Sequence, residues 1–500
     1  MSADRDSSRR LVTVLKFLAA AAGLTYIILF AAIAILRITY PFELEWMEGA
    51  MADHVARIMH GLPLYVEPTV DFVPFRYAPL YYFAAAVVAN ITGFSLFSLR
   101  LVSVLSAFAA FTLIFLFVRR ETGQRLPAIL SAGLFAAAYP ITGSFYDLAR
   151  IDSLFIALLL AAAYIFRFMP SLRGAILAGV LFGLAFLTKQ AAGPVLALLL
   201  IPALFINWRY TLACGFSAFL IAGGVSLIYN LATDGWYWFY MIELGDNIFP
   251  TEGLIPSLRK VFVTDLLHSF PIAAPFAVAA LIDIIIRDER RTRWFHLCFA
   301  LGMIGITFIA RIHPGGWTNT LIPACASIAL LFGLAIGRLD LAADTFRSAV
   351  RRSALISVYI LAIVQFSILA YSPGKHLPSD ADRLAGQRFI AQIKSIDGDI
   401  YLPHHGYYCT LAGKRSFAHF QAIRDVWSSR EHSAIYNKMT ASIRDAITNC
   451  RFAAIIVDRD FFSEDMQAHY TESGRIFDRP DLFFPKAGWA IRPEHLYLPK

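Results

Sequence analysis

RITYPFELEWMEGAMADHVARIMHGLPLYVEPTVDFVPFRYAPL, residues 37–80, is a long polar stretch set between apolar blocks. An apolar run from Leu11 to Leu36 precedes it, and many more follow. Glu43, Glu45 and Glu48 sit close together at its start. Asp53, His54, Arg57, His60, Arg76 and Tyr77 come after them. A segment this polar cannot lie in hydrocarbon, where unpaired polar groups are costly. It therefore reads as a loop at one face of a membrane, and as the first place to look for chemistry.

The rest of the chain supports that reading. Of 500 residues, 58% are hydrophobic, 14% aromatic and 16% charged. Soluble domains carry roughly 25% charged residues. Mean hydropathy is +0.59. The apolar residues come in long blocks, which makes this a polytopic α-helical membrane protein. The net charge of +8 sits largely in short arginine-rich loops, which reads as topology. No basic, aromatic-interleaved groove of the kind that tracks nucleic acid is present, so nucleic acid is not expected as a partner. The first apolar run is too long for a cleaved signal segment, whose core is about 7–15 residues, and reads as an uncleaved helix.

A spanning helix needs about 20 apolar residues. Eleven spans are expected, near 11–36, 101–118, 127–145, 153–168, 174–188, 191–207, 211–231, 264–286, 294–310, 318–337 and 353–371. Pro79–Ala89 is short, and is expected to lie in the interface or re-enter. With the N-terminus inside, Arg119, Arg120 and Arg125, then Arg287, Arg290, Arg291 and Arg293, fall in inner loops. The loop 37–80, YDLARID (Tyr146–Asp152), TKQ (Thr188–Gln190), the stretch from Thr233 to Val263, and RIHPGGWTN (Arg311–Asn319) then share the outer face.

Residues 1–372 are thus expected to form the membrane module and 373–500 an outer α/β domain. In that domain, helical patterns cover Ala381–Ile396 and Ser433–Thr448. Strand-like runs cover Asp399–His404, Phe452–Asp458 and Ala490–Pro499. Cys409 and Cys450 are the only cysteines there. A disulfide between them and two free thiols are both open readings.

Glu45 and Glu48 are three apart and would share one face of a helix through EWMEGAMADHVARIM. Acidic residues suit a helix start for dipole reasons alone. The sharper reading is a general base acting on an acceptor hydroxyl. Asp152 opens an apolar span, where it is either an N-cap or a functional acid. Asp147 and Arg150 either pair with each other or face a ligand. Lys189 is a snorkelling lysine or a phosphate contact, and Arg311 and His313 offer the same choice. The two glycines after Pro314 leave room for backbone to approach a ligand. Arg76 is a weaker candidate, and Tyr77 belongs to an aromatic set that an interfacial belt largely explains. The chain has no GxxxxGK[ST], no HExxH, and no obvious inverted repeat of broken helices. Those absences argue against a nucleotide-driven pump and weaken an ion-coupled transporter.

The order of motifs resembles the GT-C glycosyltransferases, polytopic enzymes that use polyprenyl-phosphate-linked sugars. Protein O-mannosyltransferases and the transferases that add aminoarabinose to lipid A are examples. The resemblance covers most of residues 10–370. It rests on ELEWMEGAMADHVARIMHGLPLY, RYAPLYYF, FSLFSLRL, ARIDSLFIALLL, AFLTKQAAGP and ARIHPGGWTNTLIP in that order. YYCTLAGKRSF and GWAIRPEHLYLP resemble the C-terminal domains of some bacterial members. The resemblance implies a polyprenyl-phosphate-sugar donor, a lipid or glycan acceptor and a setting among membrane lipids. It implies a base in the first outer loop, a second acid in the next, and basic groups on the lipid phosphate. Many members have Asp-Glu where this chain has Met47-Glu48. Glu45 is therefore the first choice for the base and Glu48 the second, with Asp152 as the second acid and Lys189 and Arg311 on the phosphate. Some branches need a divalent metal and others do not, and no ligand spacing here decides it. The expected setting is a bacterial inner membrane with residues 373–500 outside. A transporter or flippase of a lipid-linked sugar, and a non-catalytic envelope-assembly protein, are the rival readings.

Overall fold

The computed structural model describes residues 2–245, 253–313, 315–343, 348–429 and 433–500. Part of the loop from Thr233 to Val263 (246–252) and Pro314 of the RIHPGG motif lie outside the described residues. The N-terminal part is helical, in the order α1 (Ser2–Arg37), α2 (Glu48–Met59), α3 (Leu80–Thr92), α4 (Leu96–Thr122), α5 (Arg125–Ala137), α6 (Asp152–Phe168), α7 (Leu172–Phe186), α8 (Ala192–Leu204) and α9 (Trp208–Ala232). The short α10 (Trp236–Trp238) and α11 (Leu254–Leu258) precede α12 (Ala273–Arg287), α13 (Arg290–Ile312), α14 (Ile322–Ala343) and α15 (Ser348–Ile368).

Among the described residues, six helices are long and apolar enough to cross a membrane. They include α1, α4, α9 and α13, together with the stretches Thr318–Leu341 and Val350–Ile368. Each of the other five expected spans contains a shorter helix. The expected span 127–145 stops at Ala137, because the following residues turn through Gly143 and Ser144, both at positive φ. The expected span 264–286 is broken ahead of α12, around Pro271. α3, in the segment expected not to span, has 13 residues.

Small residues let the helices meet closely, as apolar association in lipid requires. A Cβ on Gly133 of α5 would lie 2.5 Å from the Cα of Gly23 in α1. A Cβ on Gly179 of α7 would lie 2.2 Å from the Cys214 carbonyl of α9.

Two buried ion pairs fix the polar loop to the helix ends. Arg100 of α4 donates to both oxygens of Glu48, at 2.9 and 2.6 Å, and to the carbonyls of Tyr40 and Phe42. Glu48 also accepts from the backbone N–H of Leu44 and of Ala149, each at 2.7 Å. Arg37, at the end of α1, donates to both oxygens of Asp147 at 2.6 and 2.5 Å, and Tyr139 adds a third bond to that carboxylate at 3.0 Å. Asp147 is thus held by Arg37 rather than by Arg150.

Residues 380–500 form an α/β unit with α16 (Asp380–Ser395), α17 (Tyr407–Leu411), α18 (Phe420–Ser429), α19 (Ala434–Thr448) and α20 (Ser463–His469). Its sheet runs β1 (Ile400–Tyr401), β2 (Ala454–Val457), β4 (His495–Pro499), β3 (Tyr470–Arg475) across. β1 and β2 are parallel, and β4 is antiparallel to β2 and to β3. β3, with the sequence YTESGR, has too little apolar character to read as a strand in isolation. Cys409 is buried against the Ile400 carbonyl and Cys450 is exposed; of the two open readings, the structure has the free thiols.

Arg100→Ala strands a fully buried carboxylate and is expected to cost about 3–5 kcal/mol. An unchanged melting temperature of the detergent-solubilised variant would contradict this account of the loop.

Candidate active site

The polar loop does not run free across the helix ends. Its first part, 38–47, folds down to the start of α2, and the α/β unit covers it. A cavity of about 850 Å³ opens where these parts meet. Glu45, Trp46 and Met47 line it from the first loop, and Arg76 and Tyr77 from the end of that loop. Arg150, Lys189 and His313 contribute from later connections, Arg311 from the last turn of α13, and Gln421, Arg424, Asp425, Gly488 and Trp489 from the α/β unit. Sequence segments hundreds of residues apart thus share one space.

Glu45 and Glu48 do not share a helix face as expected. α2 begins at Glu48, and Glu45 precedes it. Glu48 turns into the Arg100 pair and is absent from the cavity wall. Burial would raise its carboxyl, but Arg100 and the Ala149 and Leu44 N–H groups hold it below the usual range. Glu45 has weaker support: Arg150 at 3.3 Å and the Met47 N–H at 3.2 Å. Burial pushes its carboxyl up to about 7, and Arg150 only partly offsets this. The two glutamates have opposite chemistry because one is saturated with donors and the other is not.

Arg150 also donates to the Tyr77 hydroxyl at 2.9 Å. Lys189 donates to Asp152 at 3.0 Å, and Asn319 donates to the other oxygen of Asp152 at 3.1 Å. Asp152 therefore stands behind the cavity wall, holding two residues that line it. Arg311 pairs with Asp265 at 2.8 Å and donates to the Gly316 carbonyl at 2.7 Å. Asp147, buried with Arg37, does not reach the cavity. His54 is a core residue: it stacks on Phe75 and Tyr82, and its ring accepts from the Phe75 N–H at 2.8 Å. Among the described residues no three His, Cys, Asp or Glu side chains group as a metal site.

Sequence reasoning missed the residues that the α/β unit brings to the cavity. Gly488 takes a positive φ of 71°, and a Cβ there would lie 2.6 Å from Cγ of Glu45. Trp489 packs edge-on to Trp46 at 5.7 Å, and Arg459 lies over its ring at 4.1 Å. His405 joins Glu43 of the first loop to Asp458, the latter at 2.8 Å. Burial pulls the His405 ring down, but Asp458 and Glu43 reverse this and push it up to about 10. The adjacent histidines of LPHHGYY were the available signal, without a visible partner.

Residues 76–236 match the family described as dolichyl-phosphate-mannose-protein mannosyltransferase. No curated protein sequence matches the chain. The fold is similar to that of ArnT from Cupriavidus metallidurans in the apo state, with a TM-score of 0.62 and 13% identity over 95% of this chain and 98% of that one. ArnT bound to undecaprenyl phosphate gives 0.59 and 12% over the same shares. The archaeal oligosaccharyltransferase AglB from Archaeoglobus fulgidus, in complex with an inhibitory peptide and a dolichol-phosphate, gives 0.53 and 12% over 87% of this chain and 69% of that one. The chain therefore shares the fold of ArnT and, at a lower TM-score, that of AglB.

Gly488→Ala both strains the backbone and crowds Glu45, and is expected to cost about 1–3 kcal/mol. Pairing it with Glu45→Ala removes the crowding, so the double variant should lose less than the sum of the two. Strict additivity in thermal melts would show that the two residues do not press on each other.

Proposed function

We propose that the chain is a glycosyltransferase that moves a sugar from a polyprenyl-phosphate donor to a lipid or glycan acceptor. The observation that carries this reading is the cavity itself. It sets one poorly compensated carboxyl, Glu45, in the same space as Lys189 and Arg311. That is the complement a displacement at an anomeric carbon needs: a base on one side and cations for the departing phosphate on the other. The fold shared with ArnT and the match to the mannosyltransferase family support it, as does a similar fold binding undecaprenyl phosphate.

In the proposed reaction the donor phosphate lies against Lys189 and Arg311. Glu45, held by Arg150, accepts the proton of an acceptor hydroxyl. The hydroxyl oxygen forms a bond to the anomeric carbon as the bond from that carbon to the phosphate oxygen breaks. The electron pair leaves with the polyprenyl phosphate, and the anomeric centre inverts. Asp152 acts through Lys189 and Asn319 as a positioning residue. Residues 1–372 act as the membrane module and 373–500 as an outer domain, in a bacterial inner membrane. Glu48 serves this scheme only by fixing the loop.

Transfer is read from a radiolabelled polyprenyl-phosphate sugar panel with purified protein. Glu45→Gln is expected to lower it by about 10²–10⁴-fold, the usual worth of a general base. Undiminished transfer by this variant would remove Glu45 from the mechanism. Because the base works deprotonated and its carboxyl sits near 7, the wild-type rate should rise as pH increases through about 7. That rising limb should vanish in Glu45→Gln, and a limb that persists would belong to another group.

A further inference from the structure

The cavity cations are not equivalent. Arg150 is paired with Glu45, Lys189 with Asp152 and Arg311 with Asp265. Each therefore enters the site with its charge already balanced by a carboxylate. Arg424 differs. It comes from α18, in the α/β unit, and it lines the same cavity. Among the described residues its guanidinium has no hydrogen bond or ion pair; only its carbonyl is engaged, accepting from the Ser428 hydroxyl at 2.6 Å. An arginine in a partly enclosed, mostly apolar-lined space with its donors unused is a binding group awaiting an anion.

Its position gives the anion a place. A Cβ on Gly315 would lie 3.8 Å from Nη2 of Arg424. On the next residue, the Gly316 carbonyl accepts from Arg311 at 2.7 Å. Two guanidinium groups, one from each part of the chain, therefore meet at the same glycine turn. Gly315 holds a φ of +89°, so the turn itself requires glycine, and its bare surface keeps the approach open. A singly charged phosphodiester at this turn would use the unspent donors of Arg424 without unpairing Arg311 from Asp265.

We propose that Arg424 is a ligand of the lipid-linked phosphate, so that the α/β unit supplies part of the donor site and does not merely roof it. This rests on the polyprenyl-phosphate reading above and extends it to a residue outside the membrane module. It also implies that the donor is held from two sides, by Lys189 and Arg311 of the helical part and by Arg424 from above.

The test uses the full chain in lipid nanodiscs, titrated with undecaprenyl phosphate and separately with undecaprenol, which lacks the phosphate. Wild type should prefer the phosphate. Arg424→Ala should bind undecaprenyl phosphate at least about 10-fold more weakly, the scale of a lost charged hydrogen bond. Arg424→Lys should recover part of that loss, and undecaprenol binding should not change in either. Arg424→Gln, closer in size, repeats the measurement if the alanine variant melts early. Wild-type affinity for undecaprenyl phosphate in the alanine and glutamine variants overturns this proposal alone, and a loss seen then only in acceptor saturation assigns Arg424 to the acceptor instead. A wild-type protein indifferent to the phosphate overturns the donor reading and this proposal with it.

Discussion

The buried pair between Glu48 and Arg100 is the constraint on which the rest of this site depends. An unpaired charge at that depth would cost several kcal/mol, so each partner exists only because of the other. Arg100 also holds the carbonyls of Tyr40 and Phe42, and Glu48 holds the N–H of Leu44 and Ala149. One ion pair thereby ties the end of the first loop segment to α4 and to the 145–151 connection. Glu45 is carried on that segment, and Arg150 follows Ala149 directly. Their meeting follows from a pair that does no chemistry itself.

The division of labour between two neighbouring glutamates shows how local supply of donors sets function. Glu48 receives two arginine contacts and two backbone N–H groups, and stays charged. Glu45 receives one long contact to Arg150 and one to Met47, and its burial is left largely unpaid. A base needs the second condition, because a fully satisfied carboxylate has little affinity left for a proton. The same logic separates Arg424 from Arg311.

Much of this was legible in the sequence, for physical reasons that can be named. Hydrophobic run length located helices in all eleven expected spans, but among the described residues only six of them are long and apolar enough to cross a bilayer. The short run at Pro79–Ala89 forms a 13-residue helix, the same length as the helices in the expected spans 127–145 and 191–207, so length does not set it apart from them. The cluster of charged residues at loop ends pointed to Glu45, Arg150, Lys189 and Arg311, all of which line one cavity. Pairings were not legible. Asp147 and Arg150 are close in sequence, yet they bind Arg37 and Glu45, because a short connection carries neighbouring side chains to opposite sides. Span ends misled where Pro and Gly stopped a helix inside an apolar run, as after Ala137. The share of the α/β unit in the cavity was invisible, since contact between residues near 45 and near 488 leaves no periodic trace.

His405 carries a consequence for how such a chain can change over time. It bridges a carboxylate of the first loop and one beside β2, with its charge divided between them. A transplanted C-terminal unit lacking that imidazole would leave Glu43 facing Asp458 across a dry seam. Exchanging one part of the molecule without the other would therefore bring two buried carboxylates together with no cation between them.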